Sequence, residues 1–177
     1  MKRAFILIAI TLLAAPVFAQ SSEVGFLLGG SKRFLSGNND EKWRISLSDS
    51  VREFYYGYHL EPDTMLRIKA GDIEMPLGKE DKLIKLEKGR LQHVDLLIDY
   101  RFDEPWGATG LFAGGGLYRQ RGGTGGEGTD YGFSAGVNGD FPLSRRYGIV
   151  VEGTYHWVNY SYSLSAVTLT GGLRIKL

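Results

Sequence analysis

The chain has 177 residues and no cysteine. That absence excludes disulfides, thiol chemistry and the lipidated cysteine of a bacterial lipoprotein. It also has no long apolar run. The stretch from Ala4 to Ala15 is twelve residues, broken by Thr11 and followed by Pro16, whereas a membrane helix needs about 20 apolar residues. No Ser/Pro-rich linker and no block of like charge divides the chain, so one domain is expected. Charge of one sign is missing as well: 21 basic residues face 20 acidic ones, and without Lys2 and Arg3 the balance is 19 against 20, a net charge of −1. That near balance gives no support for a nucleic-acid partner. Any tether to a membrane must come from the fold.

What is present begins with a basic start at Lys2 and Arg3, the apolar run, and small residues leading to Val17, Phe18 and Ala19. This pattern reads as a cleavable signal peptide over residues 1–19, with Sec-type export and a mature domain over residues 20–177. At the other end, Val167, Leu169, Leu173, Ile175 and Leu177 alternate with Thr168, Thr170, Arg174 and Lys176, the period of a two-faced β-strand. Glycine supplies 25 residues, twice the usual share of about 7%. Such an excess suits a narrow barrel, where strands curve sharply and small side chains relieve crowding inside.

Turn signals and alternation predict strands at about Glu23–Phe34, Val51–Glu61, Met65–Glu74, Leu91–Asp103, Thr109–Gln120, Asp130–Phe141, Tyr147–Val158 and Ala166–Leu177. The second, fourth and sixth connections are short and rich in turn formers: Pro62-Asp63-Thr64, Glu104 to Ala108, and Pro142 to Arg146. The first and third, Leu35–Ser50 and Met75–Arg90, are long, and the fifth, Arg121–Thr129, is intermediate. Long and short connections alternate, as in an all-β, eight-stranded, antiparallel up-and-down transmembrane β-barrel with turns on one rim and loops on the other.

Alternation recurs strand by strand. In the second strand Phe54, Tyr56, Tyr58 and Leu60 oppose Glu53, Gly57 and His59. In the fourth, Val94, Leu96, Ile98, Tyr100 and Phe102 oppose His93, Asp95, Asp99 and Arg101. The sixth sets Tyr131, Phe133, Ala135, Val137 and Phe141 against Ser134, Asn138 and Asp140, and the seventh sets Ile149, Val151, Tyr155 and Trp157 against Glu152, Thr154 and His156. Period alone does not say which face is the lumen, and a soluble lipocalin-like barrel would reverse them. An apolar exterior is favoured because the other face collects charges of both signs, and a charge facing the bilayer midplane costs about 2–4 kcal/mol. Aromatic girdles are expected at both rims: Phe102, Trp106, Phe141 and Tyr147 beside the turns, and Phe54, Tyr118, Tyr131, Trp157, Tyr160 and Tyr162 beside the loops.

Three stretches and the closing strand carry a family likeness: Gly110-Leu-Phe-Ala-Gly-Gly-Gly-Leu-Tyr118, Tyr131-Gly-Phe-Ser-Ala-Gly-Val-Asn-Gly-Asp-Phe-Pro142 and Gly148-Ile-Val-Val-Glu-Gly-Thr-Tyr-His156. In these the chain resembles the outer-membrane β-barrel domain proteins related to the OmpA, OmpX and Ail barrels. The resemblance covers most of the mature chain and implies architecture; the family spans adhesion, complement resistance and structural roles. It also implies the barrel assembly machinery as a partner. Family members commonly end in an aromatic, usually Phe, which that machinery reads, whereas this chain ends in Leu177.

By parity the lumen receives Glu53, Arg67, Lys69, Asp95, Asp99, Arg101, Asp140, Glu152 and Arg174. So narrow a barrel has room for side chains and little for a water column. Charges packed there should pair, because an unpaired buried charge is strongly unfavourable. Glu152, which matches an acidic position of the family pattern, is expected at the centre, paired with Arg67, Lys69 or Arg174. A structural plug is the leading expectation, and a narrow gated pore through rearranging pairs is an alternative.

The remaining chemical signals are weak. Gly123-Thr-Gly-Gly-Glu-Gly128 has dinucleotide-binding spacing but leads into a strand and not a helix, so no cofactor is expected. His59, His93 and His156 fall on the lumenal face without metal-ligand spacing. Asn159-Tyr-Ser161 matches a glycosylation sequon of little weight in a bacterial envelope protein. An enzyme-class alternative is a lipid A-modifying hydrolase using His156 near the loop rim, although no Ser follows it closely and its parity points inward. The preferred reading is a monomeric, non-enzymatic barrel of the outer membrane serving a structural or surface-interaction role such as adhesion or envelope integrity. Lipopolysaccharide is expected against the basic loop residues Lys79, Lys82, Lys85, Lys88 and Arg90, which with Glu80, Asp81 and Glu87 give five minus three, or +2.

Overall fold

The computed structural model describes residues 22–34, 46–77, 87–123, 127–160 and 163–177. The expected signal peptide, Lys79, Lys82, Lys85 and Tyr162 lie outside the described residues. Eight strands run in chain order: β1 (Ser22–Phe34), β2 (Ser46–His59), β3 (Thr64–Leu77), β4 (Glu87–Glu104), β5 (Gly107–Gly122), β6 (Gly128–Pro142), β7 (Tyr147–Asn159) and β8 (Ser163–Lys176). They form a closed barrel in that order. Each strand is antiparallel to the next, and β1 closes on β8 from Glu23↔Lys176 to Phe34↔Ser165. Closure leaves no free sheet edge, so every strand has two hydrogen-bonded neighbours.

The faces sort as the alternation requires. Val94, Leu96 and Ile98 of β4 are 55%, 53% and 58% exposed, while Asp95, Leu97 and Asp99 between them are 1% or less. Phe54, Phe133, Val137, Val151, Tyr155, Leu169 and Leu173 are exposed in the same way on the other strands. The apolar side chains therefore face out and the charges face in, the reverse of a lipocalin-like barrel. At the turn rim Phe102, Trp106, Phe141 and Tyr147 are all exposed, and the Trp106 and Phe141 rings stack with centroids 5.1 Å apart.

Three expectations need correction. The strands reach further toward the loop rim than alternation of apolar and polar residues indicates: β2 starts at Ser46, β3 runs to Leu77 and β4 starts at Glu87. Backbone pairing continues beyond the apolar belt, where outward positions no longer need to be apolar. As a result Lys88 and Arg90 are strand residues, in register with Pro76 and Glu74, and not loop residues. Tyr118 does not belong to the loop-rim girdle. Its neighbour Leu117 is 57% exposed on the wall, which turns Tyr118 inward to complete burial. Finally, the lumen is not charged along its whole length, as follows.

Candidate functional site in the barrel lumen

Reading β3 from turn rim to loop rim gives the lumen in layers. Its inward residues are Met65, Arg67, Lys69, then Ile73, Met75 and Leu77, all buried. Polar tiers occupy the turn-side part, and a mainly apolar layer, with Arg33 and Gln120 buried in register with its Ala166 and Leu91, closes the loop-side part.

In the tier nearest the turns, the Arg101 guanidinium donates to Glu23 at 2.6 Å and lies 3.5 Å from Asp140. Arg174 reaches the same Asp140 at 2.9 Å. Tyr55 donates its hydroxyl to Glu23 at 3.2 Å, and the His59 ring stands 3.5 Å from that carboxylate.

The middle tier is centred on two cations. Arg67 donates to Asp99 at 2.9 Å and also to Glu152. Lys69 lies 3.4 Å from Glu152 and 3.4 Å from Glu53. Asn138 adds a hydrogen bond to Asp99 at 2.9 Å. The Arg67 guanidinium sits 4.3 Å from the Tyr55 ring centroid, and Lys69 sits 5.2 Å from that of Phe112, so both cations also meet aromatic faces.

Above them His93 bridges two carboxylates, with Nδ1 2.9 Å from Asp95 and Nε2 3.3 Å from Glu53. Of the two contacts only the one to Asp95 has hydrogen-bond geometry; the Glu53 oxygen stands at ion-pair distance. Gly71 makes this bridge possible: a Cβ there would stand 2.6 Å from His93 Nε2 and 2.7 Å from Glu53 Cγ. Asp95 further accepts from the Tyr118 hydroxyl at 3.0 Å and from Ser134 at 3.2 Å. His156 is held between the Tyr118 hydroxyl at 3.0 Å and Thr168 at 3.3 Å. Beyond this tier Val51, Ile73, Met75, Leu77, Leu91, Val158, Leu164 and Ala166 pack with the Tyr118 ring into an apolar layer.

The nine charges that parity assigns to the lumen, Glu53, Arg67, Lys69, Asp95, Asp99, Arg101, Asp140, Glu152 and Arg174, all face it. Glu152 meets Arg67 and Lys69. It does not meet Arg174, which lies with Asp140 and Glu23 one tier lower. Parity assigns a face but not a height along the barrel axis, and height decides which charges meet. Sequence reasoning missed Glu23, Tyr55 and Tyr118 as members of the network. The parity of Glu23 with Gly25 and Leu27, opposite the exposed Phe26 and Leu28, was the available signal.

The arrangement fills the lumen with paired charges. In the polar tiers six carboxylates (Glu23, Glu53, Asp95, Asp99, Asp140 and Glu152) face four permanent cations (Arg67, Lys69, Arg101 and Arg174), with His59 and His93 placed against the carboxylate excess, and a fifth buried cation, Arg33, lies on the loop side and donates to the Pro76 carbonyl at 2.9 Å. Ser134 pairs across the ladder with His156 but gives its hydroxyl to Asp95, and both side chains are buried. His156 is thus not presented to a lipid leaflet. Among the described residues no group of three His, Asp or Glu side chains is arranged to hold a metal ion. Gly128 opens β6, so the glycine-rich motif leads into a strand.

The backbone is similar to solved small barrels. Neisserial surface protein A superposes with a TM-score of 0.58 over 92% of this chain and 100% of that chain, at 11% identity. The attachment invasion locus protein Ail of Yersinia pestis gives 0.47 over 88% and 97%, at 14% identity. No family model and no curated protein matches the sequence. At such identities the likeness is one of fold: a closed, eight-stranded, antiparallel barrel of the small outer-membrane type.

Proposed function

We propose that this chain is a sealed barrel of a bacterial outer membrane, reached after Sec-type export, with a structural or surface-interaction role and no catalytic centre. The observation that carries this reading is the inversion of the barrel: an apolar wall exposed all round, over a lumen filled with paired charges and closed by an apolar layer. In water such a wall would be an apolar patch far above the few hundred Å² that a soluble monomer exposes. In a bilayer it is the required surface. The turn-bearing rim then faces the periplasm and the loop-bearing rim the outside.

A conducting pore is disfavoured by the apolar layer, because constrictions lined with Val, Ile and Leu exclude water and ions. The purified barrel inserted in planar bilayers should show no unit conductance steps; regular steps would revive the gated-pore reading. Outer-membrane placement itself is tested by membrane fractionation, and recovery as a soluble periplasmic protein would overturn it.

Surface interaction with lipopolysaccharide is supported by the basic loop rim. Arg90 of β4 lies directly opposite Arg121 of β5, and Arg119 is two residues along. Like charges directly opposite are unfavourable in a ladder, and an anion between them removes the penalty. Some of the rim charge is already matched internally, with Lys88 2.6 Å from Asp49 and Arg90 3.6 Å from Asp72. Added lipopolysaccharide should raise the thermal stability of the purified protein. Neutralising Lys79, Lys82, Lys85, Lys88 and Arg90 together should abolish the rise, and an unchanged rise would remove these residues from the site.

A further inference from the structure

The outer wall carries one feature that neither the lumen nor the loop rim explains. On the turn side of β5 to β8 a groove of about 640 Å³ is walled by Phe102, Trp106, Leu111, Val137, Phe141 and Leu169 and floored by Gly139 and Gly153. That size is within the range of small-molecule sites, about 300–1,000 Å³. The outward positions on its floor carry no side chain: a Cβ at Gly153 would meet nothing nearer than Val137 Cγ2 at 3.9 Å. The walls are aromatic and aliphatic, so the occupant of the groove itself is an apolar chain.

The foot of the groove is not apolar, and its charges are sorted by sign. β4 ends in Asp103 and Glu104, both exposed; Glu104 shares the outward face of Phe102, and Asp103 the inward face of Arg101. The β6–β7 turn brings Arg145 and Arg146, also exposed, and the backbone N–H of Lys176 donates to the Arg146 carbonyl at 2.8 Å, tying this turn to the end of β8. None of Asp103, Glu104, Arg145 and Arg146 forms an ion pair among the described residues. The two turns are held together. Trp106 of one stacks on Phe141 at the base of the other at 5.1 Å. Gly107 adopts φ 153° where a Cβ would come within 3.0 Å of Pro142.

We propose that this groove is a phospholipid site for a phosphoethanolamine headgroup, its acyl chain lying over Gly139 and Gly153, its phosphate on Arg145 and Arg146, and its ammonium on Glu104. The inference rests on the outer-membrane reading given above. An acidic turn and a basic turn flanking one aromatic pair complement a zwitterion, whereas a headgroup of net negative charge would meet repulsion on the acidic side. A primary ammonium donates hydrogen bonds to carboxylates and a quaternary one has none to donate, so ethanolamine is selected over choline. In lipid the apolar groove gains from packing and not from water exclusion; selectivity therefore resides in the headgroup.

The test is native mass spectrometry of the full chain released from bilayers holding equal traces of phosphatidylethanolamine, phosphatidylcholine and phosphatidylglycerol. Wild-type protein should retain phosphatidylethanolamine about tenfold more often than either competitor, the ratio that one additional charge-assisted hydrogen bond supplies. Gly153→Leu, which fills the groove from an open position, should abolish retention of all three. Arg145→Gln with Arg146→Gln should remove the preference. Equal retention of the three lipids by the wild type, preference for phosphatidylglycerol, or unchanged retention in both variants would overturn the proposal. A barrel that inserts and shows no lipid preference sinks this inference alone; a chain that does not insert into bilayers sinks the outer-membrane reading beneath it.

Discussion

Glu152→Gln is expected to lower the unfolding free energy by about 3–5 kcal/mol, the range found when one partner of a fully buried ion pair is removed. Glu152 is completely buried and is the anion shared by Arg67 and Lys69. Glutamine keeps the volume but presents an amide to two cations, leaving Arg67 with Asp99 and Lys69 with Glu53 as sole ion-pair partners. The lumen's surplus of carboxylates does not offset this loss, because the surplus lies elsewhere, around His93 and His59. Removing a cation together with the anion should recover most of the stability. Glu152→Gln with Lys69→Met replaces an ion pair by an uncharged pair of similar size, a change that is often neutral. Glu127→Gln is the reference: Glu127 lies 3.6 Å from Arg119, and both side chains are about half exposed or more, so no measurable change is expected. Equilibrium unfolding in detergent or vesicles compares the three. Equal, negligible shifts for Glu152→Gln and Glu127→Gln would show that the central tier is not a packed charge network.

The barrel was legible because its period is two and its partition is strict. Val94 to Phe102 alternates but for Leu97, an apolar residue on the inward face, and the structure keeps every one of those residues on the face that the period of two assigns. The membership of the lumen followed from the same parity. Its pairings did not, because Glu152 of β7 meets Arg67 of β3 across the lumen, and no ladder register connects those strands. Nor was the apolar layer legible. Ile73, Met75 and Leu77 share the inward face of β3 with Arg67 and Lys69, so an apolar run on the lumenal face looks like the end of a strand when charges define that face. Tyr118 illustrates the remaining error: aromatic identity near a strand end suggested a girdle position, although the parity of Leu117 already placed it inside.

Tyr118 also sets the second large effect. Gly132→Ala should destabilise the barrel by about 2–4 kcal/mol, combining overpacking with loss of buried hydrogen bonds. A Cβ at residue 132 would stand 2.6 Å from Cδ2 and Cε2 of the Tyr118 ring and 2.7 Å from the Trp157 carbonyl oxygen. Backbone is in the way on one side and a fully buried ring on the other, so the ring must shift. Its hydroxyl joins Asp95 to His156, at 3.0 Å each, and a displaced ring leaves both with a missing partner in a tier that water does not reach. The backbone entropy gained by replacing glycine, about 0.5–1 kcal/mol, offsets only part of this. Tyr118→Phe isolates the hydrogen-bond share and should cost about 1–2 kcal/mol. The decisive comparison is the double variant Gly132→Ala with Tyr118→Leu, in which the smaller side chain frees the space that the new methyl needs. Its cost should fall well short of the sum of the two single variants, as for residues that share one volume. Gly153→Ala, whose methyl points into open space, serves as the neutral control. Strict additivity, or a Gly132→Ala variant as stable as Gly153→Ala, would mean that the Tyr118 ring does not lie over Gly132 and that the top of the polar lumen is built differently.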